Sequence, residues 1–175
     1  LLMVELFGRQ WSREALLRYV GDISQLGGAR LVSLAEGPEA GVQVAEVRTG
    51  SGLAFSVLPG RGMDIGFAEF RGVPLCWRSP TGEVAAPNYE AEADGWLRGF
   101  SGGLMVTCGF ITAGWPSTDA GQQLPLHGRA SYLQARNVHV DGDWDGDEYV
   151  MWVQGRTRET TVFGENVRLT RRVWA

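Results

Sequence analysis

The chain has 175 residues, 44% of them hydrophobic, which is enough to bury one core of ordinary domain size. Its net charge of −4 and the lack of any concentrated basic segment exclude a nucleic-acid footprint. All 16 basic residues are arginine, which excludes Schiff-base chemistry and a phosphate-loop lysine, since both need an amine.

The opening Leu1-Leu2-Met3-Val4-Glu5 is apolar but has no basic leader, and an acid interrupts it. No run in the chain approaches the roughly 20 apolar residues of a membrane-spanning helix. A cytoplasmic protein without a membrane association is expected. The first element is a helix over residues 12–20, with Ser12 as its N-cap and Gly21 ending it.

Beyond Gly21 the period changes from helical to two. Leu53, Phe55 and Val57 alternate with Ala54, Ser56 and Leu58. The same alternation recurs at Val138 and Val140, at Tyr149, Met151 and Val153, and from Val167 through Leu169 and Arg171 to Val173. Arg71-Gly72 and residues 141–147 read as hairpin turns. Frequent short strands with glycine-rich turns predict an all-β, antiparallel sandwich or barrel with one short N-terminal helix. The strand pattern runs to the last residues without a turn or polar tail, so the expectation is one domain belonging to a longer protein.

Several runs carry candidate chemistry. Leu126-His127-Gly128-Arg129 places one of the two histidines two residues from an arginine, just after a long irregular stretch over residues 112–123. Arg61-Gly62-Met63-Asp64 sets a guanidinium and a carboxylate in a glycine-flanked turn; it reads either as a ligand-facing turn or as a surface turn with an internal ion pair. Residues 102–109 read as a strand with small residues at both ends. Cys76 and Cys108 lack metal-ligand spacing and read as reduced and buried. Asp141-Gly142-Asp143-Trp144-Asp145-Gly146 matches the opening of a calcium loop, but Trp152 occupies the position that needs a bidentate glutamate, so a solvated turn is expected and no metal site. Trp77, Trp96 and Trp115 are either core residues or stacking platforms.

Six runs, taken in order, resemble an aldose 1-epimerase-like family of the galactose mutarotase superfamily. They are residues 20–25, 61–65, 77–82, 102–109, Leu126-His127-Gly128-Arg129 and Glu165-Asn166-Val167-Arg168-Leu169. The resemblance implies an antiparallel supersandwich, of which residues 1–175 would be the N-terminal portion. It further implies a monosaccharide or related aldose as ligand, no cofactor, and anomer interconversion by acid–base ring opening. His127 matches the histidine that polarises the sugar near its ring oxygen. Arg61, Asp64 and Arg129 are expected to bind hydroxyls. The family's acid histidine and base glutamate lie further along than Ala175, and His139 does not match that histidine's setting. A carbohydrate-binding module without catalysis is the alternative.

Overall fold

The computed structural model describes residues 4–175; Leu1, Leu2 and Met3, part of the opening run read above for a leader, lie outside the described residues. A small hairpin of β1 (Val4–Leu6) and β2 (Arg9–Trp11) precedes the single α-helix of the described residues, α1 (Arg13–Leu17). Ser12 caps it, its hydroxyl accepting from the Ala15 N–H at 3.2 Å. The helix stops earlier than the sequence suggests, because Tyr19 N–H donates to the Leu16 carbonyl three residues back and tightens the last turn.

Five strands then form one antiparallel meander: β3 (Gly28–Ser33), β4 (Gln43–Arg48), β5 (Leu53–Leu58), β6 (Asp64–Phe70) and β7 (Val73–Pro74), in that spatial order. After a long excursion holding the hairpin β8 (Ser117–Asp119) and β9 (Gln122–Leu124), a second sheet follows. It contains β10 (Arg136–Asp145), β11 (Glu148–Thr160) and β12 (Asn166–Trp174), again antiparallel and in sequence order.

The two sheets face each other as a sandwich. Ala45, Val47, Phe55, Val57 and Ala68 of the larger sheet, with Met63 from the β5–β6 turn, pack against Met151 and Val153 of β11. Along β11 this is the period-two alternation made physical, one phase sealed and the other more open, whereas β4 and β5 bury both phases, their second phase packing Val44 and Leu58 with Val42 and Ala85. Gly155 continues the sealed phase of β11. A Cβ there would come within 2.6 Å of the Met63 sulfur, so the glycine sets how closely the β5–β6 turn approaches the second sheet.

Four local expectations are corrected. Residues 102–109 make no strand, only isolated bridges from Gly102 to Arg78 and from Met105 to Ile65. Gly102 and Gly103 have φ of 70° and 121°, which the pleated ribbon does not use. The turn expected over residues 141–147 shrinks to Gly146 and Asp147: β10 extends through Asp145, and its three aspartates share the exposed phase. No group of three metal-ligating side chains occurs among the described residues. The segment after the Arg71-Gly72 turn reads in the sequence as a strand over residues 73–77, but β7 is only two residues long. Cys76 is half-buried and Cys108 is exposed, where both were expected to be sealed.

Candidate functional site

The Leu126–Arg129 run forms a tight corner. His127 and Gly128 both adopt left-handed backbone geometry, with φ of 54° and 68°. The Leu126 side chain anchors the corner in a cluster with Trp96 and Tyr132. The His127 N–H donates to the Gly114 carbonyl at 2.9 Å, and the His127 carbonyl accepts from Gly109 N–H at 3.1 Å. The strained histidine is therefore pinned on both sides.

Its ring is fixed as well. Nδ1 accepts from the Gly114 N–H at 3.1 Å, and the ring meets Trp96 edge-on at 4.8 Å. An imidazole that accepts at Nδ1 carries its proton at Nε2 when neutral, so His127 is held as a hydrogen-bond donor. The side chain is half-buried.

Two residues on, Arg129 reaches β11, where its Nε donates to Glu159 Oε1 at 3.0 Å. The arginine is half exposed, whereas Glu159 is 4% exposed and its Oε2 has no partner. Beside this pair opens a cleft of about 280 Å³, lined among others by Tyr89, Thr112, Gln123, Arg129, Glu159 and Glu165. Pro125 and Gly128 contribute to the same wall, while the His127 side chain itself is not in the lining. Tyr89 donates to the Gly128 carbonyl at 3.2 Å and stacks on Tyr132 with ring centres 4.2 Å apart. Burial pushes the Tyr89 phenol above its ordinary value, so it stays a donor at neutral pH. Hydrogen bonds from its own backbone N–H and from the Thr161 hydroxyl hold Glu165 below the usual carboxylate range.

The cleft thus presents a free guanidinium edge, an amide and a hydroxyl as donors, with two carboxylates as acceptors. A small neutral ligand rich in hydroxyls could satisfy that mixture.

Arg61 and Asp64 lie elsewhere. Arg61 is 3% exposed. Its Nε, Nη1 and Nη2 donate to the carbonyls of Ser131, Val84 and Gly99 at 2.9, 2.6 and 3.0 Å, and its guanidinium lies 4.1 Å over the Tyr132 ring. The hydroxyl contact expected of it gives way to a clamp on three loops. Asp64 is buried too, accepting from the Thr107 N–H at 2.8 Å and from the Thr107 hydroxyl, with Arg171 Nη1 at 3.5 Å. Burial pushes its carboxyl up to about 6 against the opposing pull of those bonds and charges. Of the four expected site residues, only Arg129 lines the cleft; His127 shapes its wall, and Arg61 and Asp64 hold the scaffold behind it. His127 and Arg61 contact one aromatic cluster, the first through Trp96 and the second through Tyr132.

Glu159 escaped the sequence reading. Its signal was present: along β11, Met151, Val153, Gly155 and Thr157 hold the sealed phase, and Glu159 is the first charge to fall on it.

The family described as a domain of unknown function, DUF4432, matches residues 39–175. The chain belongs to this family. A crystal structure from Klebsiella pneumoniae subsp. pneumoniae, described as a candidate aldose 1-epimerase, superposes on this DUF4432 chain with a TM-score of 0.77 at 28% identity. The match covers 84% of this chain and 39% of that one, so the DUF4432 chain spans well under half the length of its structural neighbour. The galactose 1-epimerase from Lactobacillus acidophilus gives a TM-score of 0.47 at 14% identity, covering 83% of this chain and 44% of that one. No curated protein matches. The all-β sandwich of the DUF4432 chain is thus an aldose 1-epimerase-like fold.

Proposed function

We propose that residues 1–175 carry the sugar-binding wall of a mutarotase-like isomerase, as the N-terminal portion of a larger sandwich. The observation that carries this reading is the buried Glu159 carboxylate, with one oxygen on Arg129 and the other unpartnered beside the cleft. An acceptor left bare in a protein interior costs on the order of 1–3 kcal/mol, which a ligand hydroxyl would restore. Arg129 would supply the matching donor, so that the pair grips neighbouring hydroxyls in a fixed orientation.

Ring opening of an aldose needs a base at the C1 hydroxyl and an acid at the ring oxygen. The role at that ring oxygen is assigned to His127 by its resemblance to the mutarotase histidine alone: its proton sits on Nε2, but its side chain stands behind the cleft wall, outside the lining. The proton-transferring histidine and glutamate would come from sequence beyond Ala175. The ligand is a free monosaccharide or related aldose, with no cofactor. Free Cys76 and Cys108 suit a reducing, cytoplasmic setting.

Two measurements test this. In saturation-transfer NMR on the 175-residue chain with D-galactose and D-glucose, Glu159→Gln and Arg129→Ala should each weaken the signal about tenfold, equivalent to some 1.4 kcal/mol. Exchange NMR on the full-length gene product should show faster interconversion of α and β anomers. Binding without such acceleration would leave a non-catalytic carbohydrate-binding module. That second reading is favoured by the cleft itself, whose lining contains carboxylates but no histidine.

A further inference from the structure

The outward face of the larger sheet holds a second cavity, of about 450 Å³, which shares no lining residue with the cleft. Its apolar walls include Leu34, Val44, Leu58 and Phe67. Against them lies an ion pair, Arg78 Nη2 to Glu83 Oε1 at 2.5 Å, with Glu83 only 6% exposed.

This pair is seated by the backbone around it. Gly66 on β6 leaves the space it needs, since a Cβ there would stand 3.0 Å from Glu83 Oε1 and 3.0 Å from the Ser56 hydroxyl. The Glu83 N–H donates to Glu39 Oε1 at 2.8 Å. The bridge from Arg78 to Gly102, with Ser79 N–H donating to the Ser101 carbonyl at 2.9 Å, fixes the other partner. Yet Arg78 Nη1 and Glu83 Oε2 are both buried and both without a partner.

One missing acceptor and one missing donor, on the two members of one ion pair, define what would complete them. With Glu39 and Glu46 also in the lining against Arg48, an anionic ligand is disfavoured, and a purely apolar one would leave both atoms bare. Two neighbouring hydroxyls meet the requirement: one accepts from Nη1–H and the other donates to Oε2. Phe67, 40% exposed on the same cavity, offers a ring face for the C–H side of a sugar. We propose that this cavity is a second saccharide site, reading a vicinal diol through Arg78 and Glu83 and stacking the sugar on Phe67. It binds without reacting, because its lining sets no histidine or tyrosine as proton donor opposite the carboxylates.

Methyl β-D-glucopyranoside and methyl β-D-galactopyranoside are suitable probes, since their locked anomers cannot undergo ring opening. The experiment is saturation-transfer NMR on the 175-residue chain in a Glu159→Gln, Arg129→Ala background, which removes both hydroxyl-binding groups of the cleft pair. A residual glycoside signal is expected there, and adding Glu83→Gln or Phe67→Ala should weaken it about tenfold. Phe67 is exposed enough that its truncation leaves the fold intact, so it decides the matter should the Glu83 variant unfold. Complete loss of signal in the Glu159→Gln, Arg129→Ala background alone would overturn the second site while supporting the cleft. Signal indifferent to Phe67→Ala, or benzamide displacing the glycosides with much higher affinity, would also overturn it.

Discussion

Arg61 carries a full charge into the interior and meets carbonyl dipoles and an aromatic face there, with no carboxylate in ion-pair contact among the described residues. Burial lowers its proton affinity, while Tyr132, Asp64 and Glu83 nearby raise it. Removing the guanidinium would leave three carbonyls bare, so Arg61→Ala should cost about 3 kcal/mol or more in urea unfolding. Arg61→Lys should recover only part of that, because an ammonium cannot spread its donors across three separated acceptors. Asp64 makes a different prediction. Its folded carboxyl takes up a proton near pH 6, whereas the unfolded one does so near pH 4. The folded state therefore binds more protons between those values, and stability falls as pH rises through the window. Ionising Asp64 costs about 3 kcal/mol in full above pH 6, and nothing below pH 4. Urea midpoints at pH 4.5 and 7.5 should diverge less in Asp64→Asn than in the parent chain.

At the scale of elements, regular alternation was legible and backbone geometry was not. The period-two runs at residues 53–58, 149–153 and 167–173 fall on β5, β11 and β12. Residues 102–109 looked equally strand-like by composition, but the consecutive left-handed glycines at 102 and 103 dominate, and paired glycines are the cue that should have prevailed. Arg61 and Asp64 were recognised as unusual, yet a one-dimensional reading cannot tell a guanidinium aimed at ligand from one aimed at carbonyls 23, 38 and 70 residues away. Glu159 could have been found by following the phase of β11. The same strand yields a packing test. Gly155→Ala would press a methyl group onto the Met63 sulfur and Ala135, and should destabilise the chain by about 1–3 kcal/mol in thermal or urea unfolding, with its hairpin partners otherwise unchanged.

For the molecule as a whole, the sandwich and its loops have separate tasks. The facing sheets supply the core, and the long excursion between β7 and β10 supplies the cleft's loops, so that β11 contributes Met151 and Val153 to packing and Glu159 to the site. Glu159→Gln should therefore alter sugar binding with little change in unfolding midpoint, whereas Gly155→Ala should do the reverse. The clamp at Arg61 adds a coupling between distant parts of this architecture. Val84, Gly99 and Ser131 belong to segments with no strand pairing among themselves, yet one side chain joins all three. Their opening motions are consequently shared: amide exchange in the three segments should speed up in concert when that side chain is cut back, because they detach as a unit instead of fraying one at a time.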